Sequence, residues 1–159
     1  MLRISRLTDY ATVILAALAQ APDRVQTSAS LAGQTRLSLP TVSKVLKQLQ
    51  RAGLVASTRG LRGGYQLARP ATDISAGAIL DALEGPIAIT DCCATGHSQC
   101  GIQRTCGVGH AWQRLNVTIR RSLHEVSLAQ LAGLDPTQPR VLAHERDMKA
   151  AAARPVSRS

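Results

Sequence analysis

Phenylalanine is absent from this chain of 159 residues, and aromatic residues amount to one tryptophan and two tyrosines. A core must therefore be filled by Leu, Val, Ile and Ala, which an apolar content of 45% permits. No uninterrupted apolar stretch is long enough to span a bilayer, which excludes a membrane partner of the spanning kind. The opening MLRISRLTDY lacks the apolar run and small-residue cleavage site of a secretion signal, so a cytoplasmic location is expected. Catalytic signatures are missing as well. There is no G-x-x-x-x-G-K-[ST] loop, no G-x-S-x-G and no convincing carboxylate pair, so no enzyme is expected.

Acidic residues are scarce where basic ones are dense. Residues 1–70 carry ten Lys and Arg against Asp9 and Asp23, a balance of +8, whereas the rest carry nine against eight, a balance of +1. No acid lies between Arg24 and Arg69. A positive first half beside a neutral second half points to a polyanion as partner of the first. The length suits one domain, or one domain with an arm.

Helical spacing places Leu7, Ala11, Ile14, Leu15 and Leu18 on one face of residues 7–20, with Thr8 or Asp9 as candidate cap and Ala21-Pro22 as terminator. Thr27 or Ser28 caps a short helix running to about Thr35, a turn follows, and Pro40 stands in the first turn of the next helix. That helix buries Val42, Val45, Leu46 and Leu49, and offers Thr41, Ser43, Lys44, Lys47, Gln48 and Arg51 on its other face. Two short helices joined by a tight turn, the second positive and rich in hydroxyls, match a helix-turn-helix. In that geometry Thr41, Ser43 and Lys44 read bases, while Lys47 and Arg51 meet phosphates of double-stranded DNA.

Gly53 closes this helix, and LVASTRG and YQLARP alternate as short strands about GLRGG. The hairpin tip carries Arg59 and Arg62, and its place directly after a reading helix makes it a wing that lies over phosphates or in a minor groove. Residues 73–85 form a further helix, capped by Asp73 or Ser75 and closed by Gly85. Beyond a cysteine loop, Trp112, Leu115, Ile119, Leu123 and Val126 make an apolar stripe on a long helix that suits a homodimer seam. SLAQLAG adds a last short turn, and His124 and His144 read as surface residues. The proline-bearing residues 134–159 read as a mobile arm, with a marginal helix over 141–152. The expected fold is mainly α with a small β-hairpin wing. A winged helix-turn-helix domain occupies residues 1–85, a cysteine loop 86–108 and a dimerisation helix region 109–133.

All four cysteines fall within DCCATGHSQCGIQRTCGVGH, residues 91–110, and none lies in the apolar segments. Reduced thiols clustered in a glycine-rich loop suit metal or redox chemistry, and Gly96, Gly101 and Gly107 let backbone approach a metal. The loop contains no C-x-x-C pair of the kind that builds common structural zinc sites. Zinc held by three Cys with His97 or His110, and a metal-free switch using two of the thiols, stand as alternatives to iron.

The segments MLRISRLTDYA, LSLPTVSKVLKQLQRAGLV, STRGLRGGYQLARP and ISAGAILDALEGPIAITDC, with the three-cysteine loop ahead of WQRLN, occur in this order. Over roughly residues 1–132 the chain resembles the winged-helix regulators that hold an iron–sulfur cluster, the family of IscR and NsrR. Within that family it is most similar to regulators of SUF-type cluster assembly. The resemblance implies a homodimer on a palindromic operator, with a DNA affinity that responds to the cluster and a role as repressor of cluster-assembly genes. A nitric-oxide- or redox-responsive regulator of the same fold is the related alternative, and a zinc-stabilised DNA-binding protein the more distant one. The cluster implied is of the two-iron, two-sulfur type, with a four-iron, four-sulfur one as alternative. The matching ligands are Cys92, Cys100 and Cys106, and the fourth is left open between His110 and Asp9 of the partner subunit.

Overall fold

The computed structural model describes residues 4–60, 62–93, 100–101 and 105–135. Gly96, His97, His144 and nearly all of the C-terminal arm, with the helix expected over 141–152, lie outside the described residues.

Six α-helices and one hairpin make up the described chain: α1 (Arg6–Ala19), α2 (Ser28–Thr35), α3 (Leu39–Arg51), β1 (Val55–Thr58), β2 (Gly64–Leu67), α4 (Ala76–Glu84), α5 (Gly109–Glu125) and α6 (Leu128–Leu131). Single 3-10 turns stand at Ala71–Asp73 and Asp91–Cys93. Hydroxyl caps start five of the helices. Ser5, Thr27, Ser38, Ser75 and Ser127 each accept a hydrogen bond from a backbone N–H in the first turn, satisfying a donor that has no partner within the helix.

The cap of α1 differs from expectation. Ser5, rather than Thr8 or Asp9, accepts the Thr8 N–H. Starting the helix one turn earlier puts Thr8 on the inner face, where it is 2% exposed and its hydroxyl donates to the Glu84 carboxylate at the end of α4. Asp9 stays exposed in the first turn, where its charge suits the helix dipole.

The helix-turn-helix turn contains an unexpected strain. Arg36 ends α2 in the left-handed region at φ 56°, the one non-glycine residue with positive φ among those described. Pro40 lies in the first turn of α3, where its missing N–H costs nothing.

The core follows the expected apolar faces. Ile14, Leu15 and Leu18 of α1, Leu31 of α2 and Val42, Val45, Leu46 and Leu49 of α3 are fully buried together with Leu54, Ile74, Ile79 and Leu128. No aromatic side chain is among them; branched aliphatics fill the space.

The hairpin is antiparallel, with Val55 opposite Leu67, Ala56 opposite Gln66, Ser57 opposite Tyr65 and Thr58 opposite Gly64. On its other edge β2 pairs with the segment ahead of α2. The Gln26 N–H donates to the Tyr65 carbonyl at 2.9 Å, and the Tyr65 N–H donates to the Gln26 carbonyl at 2.8 Å. Gly64 permits this approach, because a Cβ there would stand 2.6 Å from the Gln26 carbonyl oxygen.

The segment around α6 folds back on this unit. The Leu128 N–H donates to the Ile74 carbonyl at 2.7 Å, the Ala76 N–H donates to the Val126 carbonyl at 2.8 Å, and α6 packs against α1. The short turn expected from SLAQLAG therefore supplies Leu128 to the same core as α1, α3 and Ile74. Between them α5 leans on α4 and on the Asp91–Cys93 turn.

Candidate DNA-reading surface and cysteine site

On α3 the residues expected to meet DNA lie on the face away from the core. Lys44, Lys47 and Arg51 are exposed, and Thr41 and Ser43 are half-buried. Thr41 is engaged locally: its hydroxyl lies 2.7 Å from that of Ser38, and its N–H donates to the same cap oxygen at 3.4 Å. Gln48 departs from the outward placement expected of it. It is half-buried, and its Oε1 is buried with no hydrogen-bond partner among the described residues.

The wing is tied to the helix by Gln50, whose Nε2 donates to Ser57 Oγ at 2.7 Å. Beside this link an open groove of about 390 Å³ runs between helix and wing, lined by Lys47, Gln50, Ser57 and Arg59 together with Thr27 and Ser28 ahead of α2. Arg59 and Arg62 are exposed at the tip. Ion pairs among the described residues involve Arg120, Arg121 and His124 only, so none of the reading-face cations is neutralised by an acid there.

The cysteine site assembles from two stretches of chain. Cys92 lies on the 3-10 turn after α4, while Cys100 and Cys106 come from the segment that leads into α5. Together with Gly109, His110 and Gln113 at the start of α5, these thiols line one cavity of about 120 Å³. His110 is thus placed at the site, whereas Asp9 lines a separate apolar groove with Ile4, Ile79, Leu80 and Leu123. Cys93 is half-buried and does not line the thiol cavity. No three His, Cys, Asp or Glu among the described residues stand ready to hold a single metal ion. The chemistry of the donor set nevertheless fits a cluster, since three cysteines line one cavity, thiolates are soft donors for iron, and a cluster spreads its ligands over more than one iron.

A family-wide sequence profile described as "Iron-dependent Transcriptional regulator" matches residues 4–133, covering both the reading surface and the thiol cavity. The chain belongs to the Rrf2 family. Membership makes this Rrf2 protein a DNA-binding transcriptional regulator rather than an enzyme. It is 28% identical over 131 residues to the HTH-type transcriptional regulator NsrR of Oceanobacillus iheyensis, covering 82% of this chain and 89% of that one. Its fold is similar to that of CymR, described as the global cysteine regulator of B. subtilis, with a TM-score of 0.65 and 29% identity over 85% of this chain and 99% of that one. The T. potens IscR structure gives a TM-score of 0.63 and 26% identity over 90% and 96% of the two chains. No helix among the described residues of the Rrf2 protein is long and apolar enough to cross a membrane.

Three residues that sequence reasoning passed over organise the second half of this Rrf2 chain. Asn116 is the one buried residue of α5, 6% exposed, and its Oδ1 accepts the Ile89 N–H at 3.2 Å. Its signal was present, because Asn116 falls on the stripe of Trp112, Ile119 and Leu123 at helical spacing. Thr90 lies with its hydroxyl 3.1 Å from the sulfurs of both Cys92 and Cys93. Glu84 accepts hydrogen bonds from the Thr8 hydroxyl and, at 3.0 Å, from the Ser5 N–H. These bonds, the Thr8 hydroxyl foremost, hold its carboxyl below the usual glutamate range against a smaller opposing effect of burial.

His124 is exposed, as expected, but it is also engaged. Its Nδ1 lies 3.0 Å from Ser75 Oγ, its Nε2 lies 3.6 Å from Asp81, and its ring covers Gly77. Arg120 reaches the same Asp81 oxygen at 3.5 Å, so α4 and α5 meet through a small polar joint.

Proposed function

We propose that this Rrf2 regulator senses an iron–sulfur cluster and, as a homodimer, couples that cluster to its grip on a palindromic operator. The observation that carries the reading is the convergence of Cys92, Cys100 and Cys106 on one cavity at the start of α5. Those residues would hold the cluster, with His110 or Asp9 of the partner subunit as fourth ligand. A two-iron, two-sulfur cluster is favoured. When bound, it would supply a centre that oxidants and nitric oxide can attack.

The protein's own residues do the rest. Thr41, Ser43 and Lys44 face base edges, while Lys47, Arg51, Arg59 and Arg62 face phosphates. The dimer seam is the α5 stripe, where Trp112 is 43% and Leu115 45% exposed in the single chain. Large apolar side chains left this exposed next to one another favour burial against a second copy. The cysteine site lies between the reading domain and that seam, so holding the loop sets the spacing of two reading heads. A coupling of about 1–3 kcal/mol changes affinity roughly 5–150-fold. Genes of cluster assembly are the target class, repressed by the loaded form.

A metal-free thiol regulator is the second reading, favoured by the similarity of the fold to CymR, described as a cysteine regulator. Anaerobic purification separates the two. Brown protein containing iron and sulfide is expected, with different footprints on an operator before and after cluster removal. Colourless protein, or equal protection by both forms, would overturn the sensing reading.

A further inference from the structure

The Rrf2 chain carries two adjacent thiols, Cys92 and Cys93, of which only the first lines the cavity shared with Cys100 and Cys106. Neighbouring residues of a turn have nearly equal reach, so something other than chain length must choose between them. The turn itself is well held. The Cys93 N–H donates to the Thr90 carbonyl at 2.9 Å, and the Ile89 N–H just ahead is taken by Asn116 of α5. Within it the Thr90 hydroxyl stands between the two sulfurs, 3.1 Å from each, and donates to that of Cys93.

Resting on the iron–sulfur reading above, we propose that Thr90 is a positioning residue that presents Cys92, rather than Cys93, to the cluster and donates its hydroxyl hydrogen to the Cys92 sulfur once that sulfur binds iron. The chemistry of one hydroxyl between two sulfurs requires the reversal. A hydroxyl has a single hydrogen to give and can accept others. In the structure that hydrogen goes to Cys93, which leaves the Cys92 S–H to donate to Thr90. A metal-bound thiolate has no hydrogen and only accepts. The favourable order is then Cys93 S–H to Thr90 oxygen and Thr90 O–H to Cys92 sulfur, a two-bond chain ending on the ligand.

Cys93 in this arrangement supports the ligand without being one. Hydrogen bonds to ligand sulfur stabilise the more negative, reduced form of a cluster and orient the ligand. Asn116 makes the arrangement legible to the rest of the molecule, because the same turn hangs from the helix proposed as the dimer seam.

The test uses the full chain loaded anaerobically with iron and sulfide, comparing wild type with Thr90→Val, Thr90→Ser, Cys93→Ala and Cys92→Ala. Thr90→Val should release iron to a chelator on the order of 10-fold faster than wild type and lower the cluster's midpoint potential. Thr90→Ser should restore both. Cys93→Ala should keep the cluster and shift the same readouts in the same direction by less, and it carries the test if the valine variant does not fold. Cys92→Ala should lose the wild-type visible spectrum. Equal release and potential in Thr90→Val and wild type, or failure of serine to rescue, would each overturn the assignment of Thr90 alone, whereas a wild-type spectrum in Cys92→Ala would overturn Cys92 as a ligand and the assignment of Thr90 with it. A wild-type chain that takes up no iron would overturn the cluster reading and this one together.

Discussion

Helices α3 and α5 of this Rrf2 regulator are both amphipathic, yet they are held in different ways. The 13 residues of α3 have four apolar side chains wholly buried among α1, α2 and the strands. The 17 residues of α5 have one buried side chain, and it is an asparagine. Apolar burial is additive and without direction, so α3 is fixed wherever its neighbours are fixed. By contrast, α5 is placed by Asn116 on Ile89 and by the Asp81, Arg120 and His124 joint. Such polar contacts are few, directional and individually weak. The difference teaches that α3 is held by apolar burial on several sides, while α5 is held by a few directional polar contacts.

Damage to the α3 side should break the comparison most visibly. Leu46→Ala, at a fully buried position, is expected to cost about 2–5 kcal/mol. Thermal unfolding of the whole reading domain should report it, and a cost no greater than that of an exposed substitution would contradict the core assignment. Gly64→Ala comes next. Its Cβ would press on the Gln26 carbonyl backbone, which cannot swing away, so a loss of about 1–3 kcal/mol is expected. Weaker operator binding should accompany that loss, because the wing is displaced from Lys47.

Changes at the α4–α5 joint should be gentler. In Gly77→Ala the new methyl meets the His124 ring at 2.7–2.8 Å. That ring is a side chain that can turn, so about 1 kcal/mol is expected, and His124→Ala added to it should recover most of the loss. Additive effects in the double variant would show that the ring is not what Gly77 accommodates.

Smallest is the pH dependence of Glu84, which is exposed and tethers α4 to the start of α1. Its carboxyl titrates lower in the folded chain than in the unfolded one. The carboxylate therefore adds stability above the unfolded value, and that addition fades as pH falls through the folded one. The difference in melting temperature between wild type and Glu84→Gln should be present at neutral pH and close on acidification below the usual carboxylate range. A gap that widened in acid would reverse the sign of this linkage.

Much of the reading head was legible from residue order. The burial of Val42, Val45, Leu46 and Leu49, the Pro40 start, the Thr27 cap and the hairpin about GLRGG are all local patterns, and local patterns repeat at the period of the element that they form. The cap of α1 was misplaced by one turn because Ser5, Thr8 and Asp9 are all good caps. What decided among them was Glu84, 76 residues away from Thr8, offering it a partner on the inner face. Cys92, Cys100 and Cys106 were grouped by the family resemblance, and in the structure all three line one cavity. The standing of Cys93 was not, because nothing in CC says which sulfur turns inward.

By itself the sequence determined where helices and strands form, which faces are apolar, and that positive charge and thiols occupy different parts of the chain, because period, caps and composition act over a few residues at a time. Only the tertiary structure decided that Leu128 returns to the core built by α1 and α3, that His110 and not Asp9 lines the chain's own cysteine cavity, and that Thr90 stands within reach of two sulfurs. Each of those depends on where distant segments meet, and the meeting is set by the packing of the whole chain rather than by any stretch of it.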